Sequence, residues 1–171
     1  MTPEKISTGL PGLDEVLDGL RLGDNVVLSV DHIADYRRFV EPFVAEAIGN
    51  GRPTLYLRFG NHPPLPDAQP GLVIHELDPR SGFETFAVRI HSLITEAGRG
   101  AFYVFDSLSD LLSAWATDQM VGNFFWITCP YLFQLDTVAY FALIRGRHSL
   151  KTIGRIRDTT QLLIDVLTDE G

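Results

Sequence analysis

The chain has 171 residues, 45% of them hydrophobic and 21% charged, enough for one domain with a buried core. Fourteen Lys and Arg against 22 Asp and Glu leave a formal net charge of −8, a sign that repels a phosphate backbone and argues against nonspecific nucleic-acid binding. One cysteine, Cys129, excludes an internal disulfide and fits a reducing compartment. The opening MTPEKISTGL has no apolar signal region, and no apolar run is long enough to span a bilayer. A cytoplasmic location away from membranes is therefore expected.

In chain order, Leu13, Val16, Leu17 and Leu20 fit one face of an amphipathic helix. Asn25–Val30 is a continuous apolar run, as a strand buried on both faces should be. Phe39, Val40, Phe43, Val44, Ala47 and Ile48 recur at helical spacing before Gly49-Asn50-Gly51. Thr54–Phe59 reads as a second strand, the proline-rich 60–71 as a loop and Leu72–His75 as a short third strand. Phe83 to Ala97 carries a second helical pattern, and Ala101–Asp106 is a fourth strand followed by helical Leu108–Trp115. Phe124–Leu135 reads as a helix broken at Pro130. Thr137–Leu143 and Gln161–Leu167 complete six strands, with a short helix between them. Strands alternating with helices predict βαβ units: a mainly parallel sheet with helices on both faces and ligands at the carboxyl ends of the strands. Residues 31–38, 60–62, 106–110 and 144–149 are thereby singled out.

Two segments resemble the KaiC/RecA-like ATPases. The first is Ile6–Leu20, where Thr8, Gly9, Leu13, Asp14, Leu17 and Gly19 match a T-G-x-x-x-L-D-x-x-L-x-G-G pattern, with Gly23 supplying the turn before the first strand. The second is Phe102-Tyr-Val-Phe-Asp106, similar to a Walker-B strand and followed by Ser107-Leu108-Ser109. The resemblance implies a three-layer RecA-like (P-loop NTPase-type) α/β fold over 1–171, a single domain expected to belong to a longer protein. Asp106 and Ser107 also fit N-cap positions, with Ser107-x-x-Asp110 as a capping box.

The phosphate site of that family is missing. A P-loop needs G-x-x-x-x-G-K-[ST] between the first strand and its helix, but no glycine or lysine lies between Asp24 and Ile48. Tyr36 or Arg37 falls in the lysine slot, and Asp31 and Asp35 lie where the helix N-terminus would face phosphate. Pro42 either kinks that helix or starts it. The acidic pair expected at the end of the second strand is replaced by Gly60-Asn61, which cannot serve as a general base.

These losses imply a pseudo-ATPase domain with no catalytic residue and no metal ligand in this chain; bound ATP and magnesium are disfavoured. The expected roles are regulation or assembly, with a protein partner or homo-oligomer. Residues 152–166 are similar to a module found ahead of the phosphoenolpyruvate/pyruvate-binding region in phosphoenolpyruvate synthase-type proteins, implying a phosphotransfer domain in the same protein. The alternative is a rebuilt pocket in which Arg37, Arg38, Asp106, Ser107, Arg145 and Arg147 hold a nucleotide or other phospho-ligand. For the arginines this competes with solvated surface roles. A third reading is an interaction module built on the aromatic stretch around Trp126. Cys129 reads as a buried thiol.

Overall fold

The computed structural model describes residues 2–115 and 117–169. Six parallel strands form one sheet in the order β3-β2-β4-β5-β1-β6, comprising β1 (Asn25–Val30), β2 (Thr54–Arg58), β3 (Leu72–Glu76), β4 (Phe102–Ser107), β5 (Val138–Ile144) and β6 (Leu162–Asp165). The four inner strands are almost wholly buried, which is why they read as continuous apolar runs. Alternate residues divide between two cores: Tyr103, Phe105, Ala139 and Phe141 face one side, and Phe102, Val104, Val138 and Tyr140 the other. Phe43 stacks on Tyr140 with ring centroids 3.9 Å apart, while Phe105 stacks on Phe141 at 4.3 Å.

The direction of each crossover decides which face its helix covers. The connection from β1 to β2 runs one way along the sheet; those from β3 to β4, β4 to β5 and β5 to β6 run the other way. Right-handed crossovers then put α2 (Ile33–Gly49) alone on one face. They put α3 (Phe83–Ala97), α4 (Asp118–Gln134) and α5 (Leu150–Thr159) on the opposite face. The two cores obey this division: Val40, Phe43 and Val44 of α2 lie in one, and Phe86, Phe124 and Ile156 in the other. The result is a three-layer α/β fold. No helix among the described residues is long and apolar enough to cross a membrane.

Three local expectations need correction. First, α4 runs unbroken through Pro130, as α2 does through Pro42. A helical proline removes the bond to the carbonyl four residues earlier. Those carbonyls belong to Trp126 and Arg38, both on exposed sides of their helices where water can take the bond. Second, Leu108–Ser113 is a 3₁₀ helix, with Leu108 and Leu111 buried at its three-residue repeat. Third, the opening segment is a hydrogen-bonded clip. In α1 (Pro11–Leu17) no residue is buried and Val16 is 82% exposed, while Leu20, beyond the helix, is buried and pairs with Ile6. Asp14 Oδ1 accepts from the Thr8 amide at 2.7 Å and the Thr8 hydroxyl at 2.6 Å, and Oδ2 accepts from Ser7 Oγ. Gly9 at φ 81° lies so close to α2 that a Cβ would come within 2.3 Å of the Pro42 carbonyl oxygen. The Thr8, Gly9 and Asp14 pattern thus fastens the N-terminus to α2.

Candidate functional site: a cleft at the carboxyl edge of the sheet

Because the β1 connection leaves toward one face and the β5 connection toward the other, a crevice must open between these neighbouring strands at their carboxyl ends. A cleft of about 610 Å³ lies there. Asp31 and His32 after β1, Gly60 and His62 after β2, Ser107 at the end of β4 and Asp110 after it, and Arg147 after β5 reach it. Asp78 and Arg80, in the turn after β3, form its far wall.

At its floor lies Asp106, fully buried. A bulge gives β4 one residue more than β5 between the pairs Val104–Tyr140 and Ser107–Ala142, and Asp106 belongs to it. Within the same bulge, the Phe105 carbonyl accepts from Tyr36 Oη at 3.0 Å. Asp106 Oδ2 accepts from the amides of Phe59 at 3.0 Å and Gly60 at 3.1 Å. Its other oxygen, Oδ1, is in ionic contact with His62 Nε2 at 2.6 Å. Asp106 therefore bonds across to the end of β2 and caps no helix. Ser107 is the cap: its Oγ accepts from the Ser109 amide at 3.1 Å. Asp110 does not close a capping box and instead lies 3.8 Å from His62 Nε2.

Gly60 makes this arrangement possible. A Cβ there would come within 2.5 Å of Asp110 Oδ2 and 2.6 Å of His62 Nε2. Arg58 fixes the loop by donating to the His62 carbonyl at 2.7 Å and to Glu76 at 2.9 Å. The Asp106 carboxylate holds the His62 pKa above its ordinary 6.5, against the burial that would lower it. Burial raises the Asp110 carboxyl, reinforced by the charge of Asp106 and opposed by His62 and Arg147. When protonated, the His62 imidazolium is thus placed to compensate the buried Asp106 carboxylate. Donor atoms sharing a bound metal stand about 3 Å apart, so this 2.6 Å contact leaves no space for an ion between the two. Among the described residues, no group of three His, Cys, Asp or Glu side chains is spaced to hold a metal.

Of the sequence-derived candidates, Ser107 and Arg147 line the cleft and Asp106 lies beneath it. The other three are engaged elsewhere or turned away. Arg37 donates to the Pro64 carbonyl at 2.6 Å and pairs with Glu41 at 3.4 Å, and Arg38 is exposed outside the cleft. Arg145 pairs with Asp31 and donates to the Ser29 and Val166 carbonyls, each at 3.1 Å, tying β1, β5 and β6 together. Asp31 consequently does not cap α2, whose N-cap is His32 with no side-chain bond. Cys129 is buried, which pushes its thiol pKa well up.

A second arrangement had no sequence signature. Asp118 Oδ1 lies 2.6 Å from His148 Nδ1, and His148 Nε2 lies 2.7 Å from Ser109 Oγ. An ionised Asp118 can only accept, so His148 Nδ1 carries a proton and donates to it. These are the spacings of an acid–base–nucleophile triad. Yet Ser109 is 2% exposed, and its oxygen already accepts from the Ile144 amide at 2.9 Å. The chain works as a staple joining the 3₁₀ helix, the end of β5 and the starts of α4 and α5. Burial pushes Asp118 up, but the Ser149 amide and the His148, Ser149 and Thr152 side chains outweigh it, bringing Asp118 to about 2.

No family model matches this chain, and a search of curated proteins returns no match. Fold and cleft together define a three-layer parallel α/β protein with an open crevice at its topological switch point.

Proposed function

We propose that this chain is a KaiC/RecA-like domain of the P-loop NTPase type that has lost ATP hydrolysis and serves regulation or assembly. The observation that carries this reading is the connection between β1 and α2, which is two residues long: Asp31 and His32. A phosphate cradle needs successive backbone amides on a glycine-rich loop turned toward the ligand. Two non-glycine residues, one with its carboxylate held by Arg145, do not supply that. Two further observations agree. Tyr36, in the lysine slot by one register, is wholly buried with its hydroxyl on Phe105. Asp106, at the family's magnesium position, already accepts from two amides and has His62 Nε2 2.6 Å from its other oxygen. Magnesium-ATP therefore does not fit the residues present. Isothermal calorimetry with ATP and magnesium, with a phosphate-release assay, tests the reading. We expect neither micromolar binding nor turnover; micromolar binding accompanied by turnover overturns it.

The open cleft supports a second reading, a phospho-ligand site rebuilt around Arg147 and Arg80 on its opposite walls. It also accommodates the accessory role beside a phosphoenolpyruvate-handling enzyme. Thermal stabilisation by a nucleotide or by phosphoenolpyruvate, lost in Arg147→Ala, favours this reading. No stabilisation by any of them removes it.

A further inference from the structure

On the face away from α2, a groove of about 550 Å³ runs between α4 and α5. Its walls include Trp126, 55% exposed, and the groove is also lined by Leu150, 88% exposed at the first position of α5. Single exposed apolar residues are ordinary; here two large ones line the same groove. Trp126 is held in place, since the Arg155 guanidinium lies 5.2 Å from its ring centroid and is itself bonded to Asn123 Oδ1. The wall is preformed, so little side-chain entropy would be lost when something docks against it.

The charge of the groove opposes that of the chain: two cations and one carboxylate line it, within a protein of net charge −8. The neighbouring Arg145 is paired with Asp31 and Asp165, and Arg147 lines the cleft at the sheet edge. Lys151 and Arg155 line the groove, and neither forms an ion pair among the described residues. Asp158 is the single acidic residue lining it.

Gly154 gives an independent indication. It sits inside α5, where glycine destabilises a helix relative to alanine. Neither backbone nor packing demands it: its φ is helical, and a Cβ built there meets nothing within 4 Å. What the glycine does is leave the groove open, because it lines the groove directly.

We infer that the α4–α5 groove binds an acidic peptide segment of a partner protein, with an apolar anchor side chain seated between Trp126 and Leu150 and flanking carboxylates on Lys151 and Arg155. A single-stranded nucleic acid could stack a base on Trp126, but its charge at every residue is repelled by a chain of net charge −8. This inference is independent of the reading of the cleft and holds whether or not a nucleotide enters there.

The test is selection of a random dodecapeptide display library on the whole immobilised protein, followed by fluorescence anisotropy with the enriched peptides. The expected result is enrichment of Asp and Glu around a Leu or aromatic residue. Gly154→Glu and Gly154→Lys, similar in bulk and both better helix formers than glycine, then separate charge from shape. Binding should weaken at least about tenfold in Gly154→Glu and be kept in Gly154→Lys, and it should fall with added salt. Absence of acidic enrichment, or equal binding by the two variants, overturns the inference. So does tighter binding of a single-stranded oligonucleotide. Concentration-dependent self-association by light scattering that Gly154→Glu abolishes also overturns it, since a second copy would then fill the groove.

Discussion

Removing the His62 imidazole should expose how the cleft floor is held together. Asp106 is fully buried and keeps two amide donors when His62 is replaced, so His62→Ala removes one charge-assisted contact of three. Breaking a buried ion pair costs about 3–5 kcal/mol, and a single hydrogen bond to a charged group about 1.5–3 kcal/mol. The two remaining amides and the 12% exposure of the imidazole, which lets water enter, favour the lower range. We expect a loss of about 2–3 kcal/mol, or roughly 4–12 °C in Tm for a domain of this size. The effect should depend on pH with a definite sign. The folded-state pKa of His62 is raised, so its contribution is fully present below the unfolded value of 6.5 and is lost as pH rises through the folded value. Urea unfolding followed by tryptophan fluorescence from about pH 5 to about pH 9 should show wild-type stability falling across that window, with a shallower slope in the variant. A loss below about 0.5 kcal/mol, the scale of ordinary surface substitutions, would refute the account. An unchanged pH slope in the variant would refute it equally.

Gly60→Ala should destabilise by about 1–3 kcal/mol in thermal melts, because its Cβ would drive His62 and Asp110 apart. Ser109→Ala should cost about 1–3 kcal/mol by leaving the partly buried Ile144 amide without its acceptor; native wild-type protein should stay unlabelled by a fluorophosphonate, and rapid labelling of Ser109 would contradict its role as a staple. Acid titration should reveal Asp118. Its folded pKa of about 2 is depressed below 3.8, so its contribution is present above 3.8 and lost as pH falls toward 2, a loss that circular dichroism should find reduced in Asp118→Asn.

Six strands and most helices were legible because burial on two faces leaves unbroken apolar runs such as Val26–Val30 and Phe102–Phe105, whose meaning is local. The carboxyl edge could be located for the same reason: alternating strands and helices imply parallel pairing, which brings residues 31–38, 60–62, 106–110 and 144–149 to one end, and the cleft is lined from within each of these ranges. The absence of a phosphate loop was equally plain, since glycine and lysine are either in the sequence or not. Pro130 misled because a proline marks a helix end only when the carbonyl it frees has no other partner, and solvent exposure at Trp126 is a tertiary property.

Which charge meets which was decided by the fold alone. Asp106 and His62 are 44 positions apart in sequence, and Asp118, His148 and Ser109 span 40, so no periodicity or spacing joins them. Arg37 and Arg145 resemble any other cations along the chain, and only their neighbours show that one grips the loop after β2 and the other clasps three strands. Side-chain chemistry and hydrophobic order are written residue by residue. Coulomb and hydrogen-bond partners depend on distances of a few ångströms, and those distances exist only once the chain has closed on itself.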